Sequence, residues 1–236
     1  MKHQSRPDSG VACPAPPAPW HVRSEKATAA NRTFAVVFCG LTLLAAACTT
    51  VSSTSPSPAP SDVAPAVLSV EEVRSISGVA GFHEVLELAA TAPSAVPNTP
   101  ETCRPVFDPP AVFGTDWKQF RTVGYATLID APTLPIMADV RQTIAVYPDA
   151  ATAQETFDRL TTAVPGCIKT GTGYYRRTAD SPDPNTLLLN SEHADGAYSA
   201  YRLTGTALIN SSALGLPDSE RVALEILDRL EQAERG

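Results

Sequence analysis

Residues 142–167 read QTIAVYPDAATAQETFDRLTTAVPGC. The segment opens inside a run of Val, Ile, Thr and aromatic residues, 140–147, that suits a strand. At Pro148-Asp149 the hydrophobic period changes. Ala153, Phe157, Leu160 and Val164 then recur at steps of four, three and four, which lays one apolar stripe along a helix. Pro165-Gly166 reads as the stop of that helix, directly before Cys167. A strand that feeds an amphipathic helix closing on a cysteine is therefore the unit around which the rest is placed.

Working outward, residues 120–129 form a second strand-like run. Further strands are expected at 168–177, 186–190, 196–203 and 206–211, with Asp195-Gly196 as a hairpin signal. A last helix is expected from Asp218 to about Ala233, with Val222, Ala223, Ile226, Leu227 and Leu230 facing inward. Upstream, Ser69 and Glu72 have the spacing of a capping box and Gly78 makes a stop. Phe82, Val85, Leu86 and Ala89 continue at helical period, His83-Glu84 among them, and 91–100 is a proline-broken loop leading to Cys103. The strands follow one another too closely for crossovers. That predicts an α+β fold, an antiparallel β-sheet flanked by helices, as a single domain over 67–236 with one disulfide.

Ahead of this domain stands FAVVFCGLTLLAAAC, residues 34–48. Its 14 residues before Cys48 are too few to span a bilayer, which takes about 20. Arg23, Lys26 and Arg32 lie on its amino side, and Ala45-Ala46-Ala47 supplies small residues before a cleavage point. The order matches a lipoprotein signal peptide over 1–47, with Cys48 as the lipidation site carrying acyl chains of the palmitate kind. Residues 1–21 are Pro-rich and unlike an n-region, and a start nearer Val22 fits better. Residues 48–66 form a Ser/Thr/Pro-rich tether that has too little apolar surface to fold. The expected place of work is the outer face of the cytoplasmic membrane, in the cell envelope.

The first 47 residues hold five Lys/Arg and two Asp/Glu, which leaves 13 basic and 23 acidic residues in the remainder, a net charge of −10 with His neutral. Such a surface argues against nucleic acid as a partner, since its recognition rests on neutralising phosphates. It also disfavours electrostatic docking on anionic lipid, so membrane attachment falls to the anchor at Cys48.

The exported part keeps three cysteines, Cys48, Cys103 and Cys167. Pairing the last two leaves Cys48 for lipidation. Closing their 63 intervening residues stabilises a fold by up to roughly 4 kcal/mol on the chain-entropy account. As a metal site the two lack partners, since no histidine stands near them in sequence to complete a zinc ligand set.

Three stretches carry a resemblance: VLSVEEVRSISG (67–78), ETCRPVFDPPAVFGTDWKQFRTVGY (101–125) and QTIAVYPDAATAQETFDRLTTAVPGC (142–167). Together they resemble the PknH-like extracellular sensor domain of mycobacteria. The elements that match are Cys103, Phe113-Gly114 with Trp117, Tyr147-Pro148-Asp149, and Cys167. The likeness covers about residues 66–233. It implies an antiparallel sheet with flanking helices and a cleft for an unidentified ligand. The family occurs on a membrane-spanning Ser/Thr kinase and as stand-alone lipoproteins, and this chain looks like the second form. The kinase form carries a second disulfide in its last strands; the matching stretch here, 198–214, has no cysteine.

Chemistry is sparse. His83 and His193 are the histidines beyond residue 47, and no GxSxG, HExxH, P-loop or glycine-rich dinucleotide turn accompanies them. We expect no enzyme, no cofactor and no metal site. Trp117, Phe120, Tyr125, Tyr174, Tyr198 and Tyr201 are the candidate lining of a cleft. The expected function is recognition of an unidentified envelope or environmental molecule, whether small molecule, lipid or glycan. The alternatives are an envelope lipid or glycan carrier that meets envelope proteins and, further off, a hydrolase.

Overall fold

The computed structural model describes residues 64–130, 134–191 and 196–235; Cys48, the export segment and nearly all of the tether lie outside them. The elements are α1 (Val70–Ser77), β1 (His83–Glu84), α2 (Arg104–Phe107), α3 (Pro109–Phe113), β2 (Gln119–Ile129), β3 (Ile136–Val146), α4 (Ala150–Thr170), β4 (Arg177–Asp180), β5 (Thr186–Ser191), β6 (Tyr198–Thr204), β7 (Ala207–Leu214) and α5 (Ser219–Arg235). No described helix is long and apolar enough to cross a membrane.

All seven strands join one sheet in the order β1-β2-β3-β7-β6-β5-β4, every pairing antiparallel. Topologically it is two pieces. Strands β1 to β3 form one, and β4 to β7 form a meander that returns by tight connections. They meet where β3 pairs with β7, in a register running from Asp139↔Leu214 to Val146↔Ala207. Between the pieces, α4 carries the chain from the sheet's middle to its far edge. The Ile144↔Ile209 pair at the join is fully buried.

Alternation along the strands separates two cores. On one face Val123, Tyr125, Val140, Ile144, Ile209 and Tyr198 pack under α1 and α5, whose Val73, Ile76, Val222, Ile226 and Leu230 close over them. On the other, Phe120, Ala145, Leu208, Leu187, Leu189 and Leu203 lie under α2, α3 and α4. The Cys103–Cys167 disulfide ties the last turns of α4 to the segment that enters α2, and both cysteines are buried.

The predicted capping box is present. Ser69 Oγ accepts the Glu72 N–H, the Glu72 carboxylate accepts the Ser69 N–H, and Gly78 closes α1. Just before it, Leu68 is pinned to the sheet. Its N–H donates to Gln142 Oε1 at 2.9 Å, and its carbonyl accepts from the Tyr125 hydroxyl at 2.6 Å and from Gln142 Nε2 at 3.3 Å.

Three sequence expectations are corrected. Residues 82–89 do not continue as a helix: β1 pairs with β2 at His83↔Ala126 and Glu84↔Tyr125, and a 3-10 turn follows at Leu86–Leu88. The exposed edge of β2 offers this segment a full set of backbone partners, including Val85 N–H to Gly124 O at 2.9 Å, and a weak helical period does not outweigh them. Pro165 does not end α4, which runs on to Thr170. An interior proline costs about 3 kcal/mol. Here it faces solvent, while Val164 and the disulfide-held Cys167 keep the inner stripe in register. In consequence the strand expected at 168–177 shrinks to β4 at Arg177–Asp180, preceded by a 3-10 turn at Gly173–Tyr175. The hairpin read at Asp195-Gly196 falls on a pair whose first member lies outside the described residues.

Removing the crosslink with C103S/C167S should lower unfolding free energy by about 2–5 kcal/mol, read as a fall in the urea midpoint. An unchanged midpoint would show that α4 holds its place without the bridge.

Candidate functional site

The six candidate aromatics are divided between the two cores. Tyr125 and Tyr198 belong to the face under α1 and α5. Trp117, Phe120 and Tyr201 belong to the opposite face, where Phe120 stacks edge-on against Phe113 at 5.4 Å and lies 5.6 Å from Trp117. Tyr174 is 57 % exposed, on the turn between α4 and β4. No single cleft can collect all six.

Three phenols act as latches instead. Tyr125 donates to Leu68 O at 2.6 Å, Tyr147 to Phe113 O at 2.8 Å and Tyr201 to Val106 O at 3.3 Å. Each fastens a piece of the chain before β2 onto the sheet. Burial pushes Tyr125 and Tyr147 up to about 12 and Tyr201 higher still, because a phenolate in these places would lose its hydration.

Tyr198 lines an actual concavity, a groove of about 210 Å³ with Thr178, Asp180, Leu188, Asn190 and Glu220. Burial first, then the carboxylates of Glu220 and Asp180, raise its hydroxyl to about 12. A larger concavity of about 730 Å³ follows α5 from Pro217 to Asp228. Within it Arg221 contacts Asp218 at 3.5 Å and Glu225 at 3.4 Å, while Asp228 pairs with Arg202 at 2.6 Å.

The face under α4 is built differently at its two ends. Where Phe120, Ala145 and Leu208 line up, it is closed. Toward the β2–β3 turn the same face carries Thr122, Thr143, Asn210, Ser212, Ser199, Asp139 and Arg141. Thr122 and Thr143 share a hydrogen bond at 2.9 Å, and Arg141 pairs with Asp139 at 3.0 Å. This is a polar shelf, in contrast to the closed end of the same face. Burial raises Asp139, and the Arg141 beside it opposes that rise.

At the β4 edge of this face the sequence reading missed a group. Arg177, the first residue of β4, is 3 % exposed. Its guanidinium carbon sits 4.7 Å from the Tyr174 ring centre and 5.5 Å from that of Phe107. Phe107, Tyr174 and Tyr175 pack on one another at 5.5–5.9 Å between centres. The turn that delivers them depends on Gly173, at φ 57°, and on Gly171, where a Cβ would come within 2.5 Å of Tyr175 O. Arg177 Nη1 reaches Ala197 O at 3.4 Å, and Nε has no hydrogen-bond partner among the described residues. Burial lowers its pKa from the ordinary value. Nothing local announces this: the burial is made by Phe107, 70 residues away, and the only sequence trace is the cluster Tyr174-Tyr175-Arg176-Arg177.

His83 is exposed on β1, and His193 lies outside the described residues. Among the described residues no group of three His, Cys, Asp or Glu is placed to hold a metal ion.

Set against known proteins, residues 58–232 match the family described as the PknH-like extracellular domain. Among solved structures, the crystal structure of the extracellular domain of PknH from Mycobacterium tuberculosis aligns with a TM-score of 0.52 at 16% identity, over 70% of this chain and 93% of that one. No curated protein matches.

The buried phenols fix a pH limit. Tyr125, Tyr147 and Tyr198 titrate near 12 when folded and near 10 when not. The stability they contribute is complete below about pH 10 and is lost as pH rises toward 12. Urea midpoints should therefore hold level to about pH 9.5 and then fall, in step with tyrosinate absorbance. Tyr147→Phe should cost about 1–2 kcal/mol at neutral pH by leaving Phe113 O unpaired.

Proposed function

Because the chain belongs to the PknH-like extracellular domain family, we propose that it is an extracytoplasmic sensor domain that recognises an envelope or environmental molecule and is held to the membrane by a lipid on Cys48. The observation that carries this reading is the family match, which spans nearly the whole folded part. It is supported by the polar shelf beside α4, whose hydroxyls, amide and Asp139 carboxylate, with Arg141 exposed beside it, are suited to hydrogen-bonding a ligand. The anchor reading rests on the apolar run 34–47 before Cys48 and the Ser/Thr/Pro tether after it. The role is one of binding rather than catalysis.

A carrier of envelope lipid or glycan is the second reading. It is favoured by Leu128, Leu134, Ile136 and Met137, apolar side chains exposed together at the β2–β3 turn.

Native mass spectrometry on the protein exported by an actinobacterial host and gently purified separates these readings. A bound polar molecule released on denaturation is expected for the sensor, and a bound lipid for the carrier. A bare mass would count against both and point to docking of an envelope protein. For the anchor, C48A should move from the detergent phase to the aqueous phase, and a variant that stayed with the membrane would refute lipidation at this residue.

A further inference from the structure

Among the described residues Arg177 is the only charged side chain in the buried class. Burying a cation is costly unless an opposite charge or a full set of hydrogen bonds compensates it. Arg202 shows how this chain meets that demand elsewhere, with Asp228 at 2.6 Å and Glu231 at 2.9 Å. Arg177 has no carboxylate within ion-pair distance among the described residues. It has one long bond to a backbone carbonyl, an unpartnered Nε, two aromatic faces, and the Tyr174 and Tyr201 hydroxyls near by. Cation–π contact is worth far less than a buried charge pair. The arrangement thus holds an unspent positive field at the edge of the open sheet face.

The covering is asymmetric. Phe107 is held in α2 within the second core, close to the disulfide. Tyr174 is largely solvent-exposed, on a short turn set by Gly171 and Gly173. Moving the Tyr174 ring outward uncovers one face and edge of the guanidinium without breaking the core. Two strands inward on the same face stand Ser199 and then, on β7, Ser212, polar groups for the rest of a ligand.

We propose that Arg177 is an anion-recognition point, taking a carboxylate or phosphate group of a ligand on its guanidinium as Tyr174 swings aside. A planar fork of N–H donors fits either group. The proposal rests on the ligand-binding reading above and names the chemistry its ligand must carry.

The test is NMR of the protein labelled at arginine Nε, with inorganic phosphate and acetate as probes and chloride at matched ionic strength as control. The Arg177 signal is assigned by its loss in R177K. It should move saturably with phosphate, acetate or both, and not with chloride; which anion acts separates a phosphate-bearing from a carboxylate-bearing ligand. Y174A, which removes the competing ring, should tighten binding about two- to fivefold and serves if R177K fails to fold. The loop between β5 and β6 carries Glu192 and Asp195 in sequence, so E192Q/D195N is the second control. A response unchanged in that variant supports the site. A response that appears only there would mean an internal carboxylate already occupies the guanidinium, and would overturn the proposal. So would a silent Arg177 signal with both anions. If native mass spectrometry finds a bound molecule while Arg177 stays silent, this proposal falls and the sensor reading stands. If both are empty, both fall.

Discussion

The pairing of β3 with β7 is the constraint on which the remainder depends. It joins residues 139–146 to 207–214, distant in sequence, and makes one sheet of two antiparallel pieces. For β7 to reach β3, the meander must start at the far edge, so α4 has to cross the sheet. That crossing covers one end of one face and leaves the other end to polar side chains. The two fully buried isoleucines at the join, Ile144 and Ile209, anchor the register, and a one-residue slip would turn both cores outward.

The site inherits its character from that crossing. Because α4 ends near the β4 edge, the turn into β4 is short and glycine-dependent, and it brings Tyr174 and Tyr175 against Phe107. The positive charge there stands in a protein whose sequence beyond residue 47 is strongly acidic. A buried cation in an acidic molecule acts by local contact rather than by long-range attraction, since the overall field repels anions.

Legibility in the sequence followed the range of the interactions. The stripe Ala153-Phe157-Leu160-Val164, the Ser69–Glu72 box and the inner face of α5 are local patterns, and each stands in the structure as read. Cys103 and Cys167 were legible through counting, and they form the expected bridge. Pro165 was misread because its penalty is local while its compensation, the disulfide and the buried stripe, is not. Residues 82–89 were misread because their partner is a strand edge about 40 residues on. The aromatics were legible only as a candidate cleft lining, and composition carries no information about which face of a sheet each one meets or that Tyr174 stays exposed. Arg177 was illegible for a related reason: a strand-leading arginine looks solvated until Phe107 and Tyr174 are folded over it.

The three phenolic latches fasten different stretches, at Leu68, Val106 and Phe113, all of them ahead of β2. Apart from β1, the Val85 amide beside it and one bridge at Ala90, this leading third of the folded part adds nothing to the sheet's backbone ladder. Its attachment is by side chains and one covalent bridge, while the sheet is closed without it. The leading segment's buried side chains, Val73, Ile76 and Phe82 in one core and Val106, Val112 and Phe113 in the other, supply the rest of its hold. The Cys103–Cys167 bond ties that segment to α4, so its loosening would be that of a tethered arm rather than of a free end.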